Sequence, residues 1–135
     1  MPPIASREIA AITGLSLRQL RYLAQSEVVV PSLRAHGRGF EGLYSDADLF
    51  GLLVVERVRQ VCGPEIRVER LRAALKVLRS RGPLPRYLVI ESGASWTDDG
   101  PLDDLLTRCT AALVIDLQAV DQETQLRLRR ASLAT

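Results

Sequence analysis

The sequence predicts a mainly α chain with a small β-α-β-α segment towards its C-terminal end. Three observations lead there. Aromatic residues are scarce, with one Trp, three Tyr and two Phe, so a core must be assembled from Leu, Val, Ile and Ala, which leans towards helix. Apolar residues recur at helical spacing through most of the first eighty positions. Beyond them stand two short apolar runs, "YLVI" and "ALVID", of strand length. With 135 residues, 47% of them hydrophobic and 25% charged, the chain is sized for one compact domain or a small domain with an appendage.

Ser6 stands before "REIAAIT" as a candidate N-cap, Ile9 and Ile12 share a helix face, and Gly14 suits the turn that ends the helix. Ser16 then caps a second helix, in which Leu17, Leu20 and Ala24 form an inward stripe. Arg18, Gln19, Arg21, Tyr22 and Gln25 are left outside it or at its margin. After three valines, "PSLRAHGRGFEGLY" holds three glycines within six residues. Glycine at that density predicts a hairpin-like loop, with a basic tip at Arg34, His36 and Arg38.

Ser45 and Asp48 form a capping signature for a third, very apolar helix that ends at Gly63. A fourth helix, over "IRVERLRAALKVLRSRG", sets Val68, Leu71, Ala74 or Leu75, and Leu78 on one face, and is expected to pack against the third. In the tail, a short amphipathic helix starts near Pro101, capped by Asp98 or Asp99, and a polar helix runs from about Asp121. The residues between Glu91 and Ala112 suffice for a parallel crossover, and an antiparallel pairing is equally open.

Net charge is only +2 but unevenly spread. Residues 1–86 hold 14 Lys+Arg against 8 Asp+Glu, whereas residues 87–135 hold 4 against 8. A basic part can approach a polyanion; an acidic part is repelled by it and faces solvent or protein. The sign changes at "RSRGPLPRY", where Gly82, Pro83 and Pro85 break any helix. Two units are therefore expected: residues 1–84, the basic unit, and residues 85–135, an interaction or dimerisation segment that a cut after Gly82 would remove without unfolding the rest.

Helix, turn, basic helix, glycine-rich basic wing and apolar helix is the order of a winged helix-turn-helix. The stretches "REIAAITGLSLRQLRYL", Pro31, "LYSDADL" and the glycine followed by "EIRVERL" resemble the DNA-binding domain of the MerR family of transcription regulators, over roughly residues 4–80. The wing "GRGFEGLYSDADL" looks like an actinobacterial branch. The resemblance implies a homodimeric regulator of double-stranded DNA at pseudo-palindromic promoters, with Arg21 and Tyr22 contacting phosphates. Departures are Leu23 for the second aromatic of "R-Y-Y", Glu27 for the glycine of "G-L-L", and Gly42 and Leu43 where an arginine usually precedes the wing tyrosine. The family's long dimerising coiled coil and its cysteine-bearing metal loop have no counterpart here, so inducer sensing is not implied.

The residues supply matching chemistry. An α-helix fits the major groove, where arginine donates twice to guanine and glutamine pairs with adenine. Arg18 and Gln19, at the start of the second helix, are placed for base edges; Ser16 offers its hydroxyl and the helix-start amides to a phosphate. Arg34, His36 and Arg38 are the wing's candidates, the arginines being the better ones. Taken singly, an arginine on an amphipathic helix is usually just solvated, Tyr22 is as readily a marginal core residue, and His36 is an ordinary loop residue; the turn, wing and charge imbalance together favour DNA.

Other classes fare worse. The acidic run "WTDDGPLDDLL" is better explained by helix capping than by Mg²⁺ chemistry, and there is no P-loop, GxSxG or His/Cys nucleophile pair. No catalytic residue, metal or cofactor is expected. Cys62 and Cys109 are expected as reduced, mostly buried thiols. The N-terminus lacks a signal-like h-region and no long apolar run follows, so the chain is expected in the cytoplasm without a membrane span. The alternative reading is an antitoxin-type protein whose DNA-binding domain autoregulates its promoter while residues 87–135 occupy a partner protein.

Overall fold

The chain enters its first helix from a strand, not from a side-chain cap. In the computed structural model, which describes residues 3–34, 42–79, 83–92 and 94–134, the elements follow in the order β1 (Ile4–Ala5), α1 (Ser6–Thr13), α2 (Leu17–Gln25), β2 (Leu33–Arg34), β3 (Gly42–Tyr44), α3 (Asp46–Cys62), α4 (Val68–Leu78), β4 (Tyr87–Ile90), β5 (Ser95–Asp98), α5 (Leu102–Arg108), β6 (Leu113–Asp116) and α6 (Leu117–Ala134). Ile4 and Ala5 pair antiparallel with Tyr44 and Leu43. Ser6, expected as the N-cap, is instead the first helical residue, and Ala5 holds the cap position without a side-chain bond. The Ser6 hydroxyl donates to the carbonyl of Gly42, 3.4 Å away, across the small sheet.

More than half of the described residues are helical, and two three-stranded antiparallel sheets, ordered β1-β3-β2 and β5-β4-β6, complete the architecture. α3 is central. Ser45 caps it through a reciprocal box with Asp48, and from Gly51 to Val55 five successive residues are buried. A run longer than one turn cannot be buried from one side, so α3 needs cover around its whole circumference. α1 and β3 cover part of it, and α6 and β6 another part. α4 rests mainly against β4 and β5, not against α3 as expected; it meets α3 where Gly51 leaves room for the Leu75 methyl.

The tail contains one strand more than expected. "SWTD" forms β5, so the order is β-β-α-β-α, and β6 pairs antiparallel with β4, which settles the pairing left open. β4 is the middle strand, and its consecutive Leu88, Val89 and Ile90 are all buried, as a strand covered on both faces requires. β5 has a half-exposed, polar sequence that no alternation marks as a strand. α5 begins after Pro101, with no side-chain cap. Asp98 lies in β5 and Asp99 accepts from the Arg86 amide at 2.9 Å, so neither caps the helix. α6 starts at Leu117, four residues before the expected Asp121, because its inner stripe of Leu117, Val120, Thr124 and Leu128 is buried from the first turn.

The boundary in charge near Gly82 is not a boundary in the core. One cluster of buried side chains runs from Ile4 through Leu53, Val58 and Leu75 to Leu88, Ile115, Leu117 and Leu128. Arg57 pairs with Glu123, and Arg127 bonds Glu56 and Glu123 at 3.3 and 2.8 Å, joining α3 to α6. The thiols also differ from expectation: Cys62 is exposed at the end of α3, Cys109 is partly buried, and both are free. A chain cut after Gly82 is expected to lose cooperative unfolding, because each core Leu or Val returned to water forfeits about 1.5–3 kcal/mol of a total stability on the order of 5–15 kcal/mol. Thermal melts of the cut and complete chains by circular dichroism check this; a sharp transition in the cut chain would restore the separable appendage.

Candidate nucleic-acid interface

The α1–α2 connection is three residues long, and each has a distinct physical job. Gly14 takes φ 79°, in the left-handed region, and returns its amide to the carbonyl of Ala10, ending α1. Leu15 is buried and anchors the turn to the core; its amide donates to the Thr13 hydroxyl, which itself donates to the Ile9 carbonyl. Ser16 caps α2. Its hydroxyl oxygen accepts from the Gln19 amide at 3.0 Å, and the Gln19 side-chain oxygen accepts from the Ser16 amide at 2.8 Å.

The inward residues of α2 are Leu20 and Leu23, with Ala24 partly buried. Leu17, expected inside, is 45% exposed; the helix is rolled so that Leu23 replaces it against the core. The outward face accordingly carries Leu17, Arg18, Arg21, Tyr22 and Gln25. Tyr22 is 52% exposed, which removes it from the core margin. Arg18, Arg21 and Tyr22 fall at i, i+3 and i+4, so they form one patch near the capped end. Gln19 is different. Its oxygen is engaged in the capping box, and a two-bond contact with adenine, which needs that oxygen as well as the amide NH₂, would first have to break the box.

β2 and β3 pair with Leu33 opposite Leu43 and Arg34 opposite Gly42, giving a hairpin stem beside α1. Arg34 is thus placed at the distal end of the stem, while His36 and Arg38 lie outside the described residues. Asp48 fastens the stem to α3: one carboxylate oxygen accepts from the Ser32 amide at 3.0 Å, the Ser32 hydroxyl at 2.6 Å and the Ser45 amide at 2.9 Å. Tyr44, buried on the stem, has its phenol pushed above the ordinary value, first by burial and then by the Asp48 charge.

Packing adds a residue that linear reading did not nominate. Leu15 and Gln19 share a shallow groove with Glu56, Arg59, Gln60 and Pro64, which brings Arg59, at the far end of α3, beside the start of α2. Forty positions separate them, and nothing in the spacing of "ERVRQ" announces the approach. The acidic run of the tail is used structurally: the Asp98 carboxyl is held below its ordinary range by the Gly100 amide and then by Arg108. Among the described residues, no group of three or more His, Cys, Asp or Glu is arranged to hold a metal ion. No described helix is long and apolar enough to cross a membrane.

No family model matches the chain. Over 72 residues it is 40% identical to a Mycobacterium bovis protein and to proteins of two Mycobacterium tuberculosis strains, each named an uncharacterized HTH-type transcriptional regulator. The match takes in 53% of this chain and 31% of each relative. The chain therefore spans about a third of the length of the curated relatives it matches.

Gly42, on the stem, has no room for a side chain. A Cβ built there would lie 2.3 and 2.5 Å from the ring carbons of Pro31, which have no rotamer to retreat into. Gly42→Ala is expected to destabilise the chain by about 1–3 kcal/mol, the usual cost of overpacking. Urea denaturation measures it; an unchanged midpoint would mean that the stem and Pro31 separate freely.

Proposed function

We propose that the chain is a sequence-specific, double-stranded DNA-binding transcription regulator of the MerR type that acts as a homodimer in the cytoplasm. The observation that carries the reading is the α1–turn–α2 unit, whose exposed patch of Arg18, Arg21 and Tyr22 stands at a capped helix start. The helix-turn-helix naming of relatives 40% identical supports it. In this reading Arg18 donates to guanine O6 and N7, while Arg21, Tyr22 and the Ser16 cap hold phosphates. Arg34, His36 and Arg38 follow the backbone from the hairpin, and Arg59 reaches it beside the turn. A two-fold pair of such units meets half-sites a helical turn or a multiple apart, so the operator is a pseudo-palindrome. The reading assigns no catalytic chemistry, metal or cofactor.

The antitoxin alternative has less to stand on. The inner face of α6 is already occupied by α3 and the core, which leaves that face unavailable to a partner protein.

Retention on duplex DNA is expected to fall steeply with salt, by about −0.9 in log-log slope for each phosphate neutralised. Equal retention at low and high salt would overturn the reading. Arg21→Ala should weaken binding on every sequence alike and lower that slope by about one. Arg18→Ala should in addition relax preference at one base position, at a cost of ~1–3 kcal/mol. Titrations on duplexes selected from a random pool and on a scrambled control separate the two; identical losses on both for Arg18→Ala would remove its base-reading role.

A further inference from the structure

α2 ends in a Schellman motif. The Val28 amide donates to the Leu23 carbonyl at 2.9 Å and the Glu27 amide to the Ala24 carbonyl at 3.1 Å, with Val28 and Leu23 both buried beside each other. That geometry requires a left-handed residue at Glu27, and its φ is 59°. Glycine is the usual occupant, because a Cβ in that region is strained. Here the position is a glutamate, the one non-glycine residue with positive φ among those described.

The carbonyls on either side of Glu27 are both bound by guanidinium groups, one from α4 and one from its C-cap. Arg72 donates from Nε at 2.9 Å and from Nη2 at 2.6 Å to the Ser26 carbonyl. Arg79 donates from Nη2 at 3.1 Å to the Val28 carbonyl. Hydrogen bonds from a charged donor are stronger than neutral ones, and cations at a helix C-terminus oppose its negative end. The two arginines sit 46 and 51 positions away from their acceptors, on α4 and at its C-cap, and α4 itself rests mainly against β4 and β5.

We propose that Arg72 and Arg79 are positioning residues that clasp the left-handed turn at Glu27 and thereby fix the end of α2, and the patch the helix carries, against α4. The proposal rests on the DNA-binding reading for its consequence and on the three bonds and the backbone angle for its mechanism. Neither arginine needs to touch DNA. The clasp offsets strain that a glycine would not incur, so its importance depends on what stands at position 27.

The test is a cycle of Arg72→Ala with Arg79→Ala, in Glu27 and in Glu27→Gly chains, all verified as folded by circular dichroism. Two readouts are taken: hydrogen exchange at the amides of residues 26–29, with the β4 amides as internal reference, and the ratio of affinities for a pool-selected duplex and a scrambled one. In the Glu27 chain, loss of the clasp is expected to speed exchange at residues 26–29 and to lower the affinity ratio, each by about tenfold. In the Glu27→Gly chain both losses should shrink. Exchange that does not respond, or losses of equal size with Glu27 and Gly at that position, would overturn the clasp. Faster exchange with an unchanged affinity ratio would overturn the positioning role. A wild-type chain that enriches no duplex from the pool fails the DNA reading and with it the positioning role, while the exchange readout still decides the clasp.

Discussion

The burial of α3 around its full circumference is the constraint on which the other elements depend. Leu49, Leu52, Val54, Val55 and Val58 have no exposed surface at all, and a helix of that kind is stable only if its neighbours enclose it. One side is enclosed by α1 and the hairpin, the other by α6 and β6. The candidate interface and the C-terminal sheet are therefore two covers on one core, and neither is free to move without uncovering it.

Charge is used at the seams between those covers. Arg127 of α6 donates to the Ile12 carbonyl at 3.0 Å near the end of α1, and Arg72 of α4 does the same at the end of α2. Each helix of the α1–α2 pair thus has a C-terminal carbonyl, a group the helix itself leaves unpaired, answered by a guanidinium from outside the pair. Several of the pairs involved are partly exposed, so their individual contributions to stability are small. Their effect is on orientation: a planar donor set fixes where a helix end sits more narrowly than apolar contact does.

Much of the basic half was legible because its signals are local. Gly14, Ser16, Ser45 with Asp48 and Gly63 mark helix ends by chemistry that acts within a few residues, and the structure places those ends accordingly. The signals failed where a partner distant in sequence intervened. Ser6 is a plausible cap until β1 pairs with β3 and takes the preceding residues into a sheet. Leu17 fits an inward stripe as well as Leu23 does, and only the docking of α2 on the core chooses between them. β5 has no pattern of its own; β4 recruits it.

The sequence by itself determined where α1 stops, where α2 and α3 start and where α3 stops, the apolar character of α3 and the surplus of positive charge in residues 1–86, since all of these follow from residue type and short spacing. The candidate residues of α2 were also legible, as the polar remainder of an amphipathic helix. Tertiary structure alone decided that Gln19 spends its oxygen on the capping box, that Arg59 lines one groove with Gln19, and that Arg72 and Arg79 hold the turn at Glu27. It also decided that the acidic tail shares the core with the basic half. The reason is range: capping and periodicity act across one or two turns of chain, whereas these contacts join residues brought together only when α3 is enclosed.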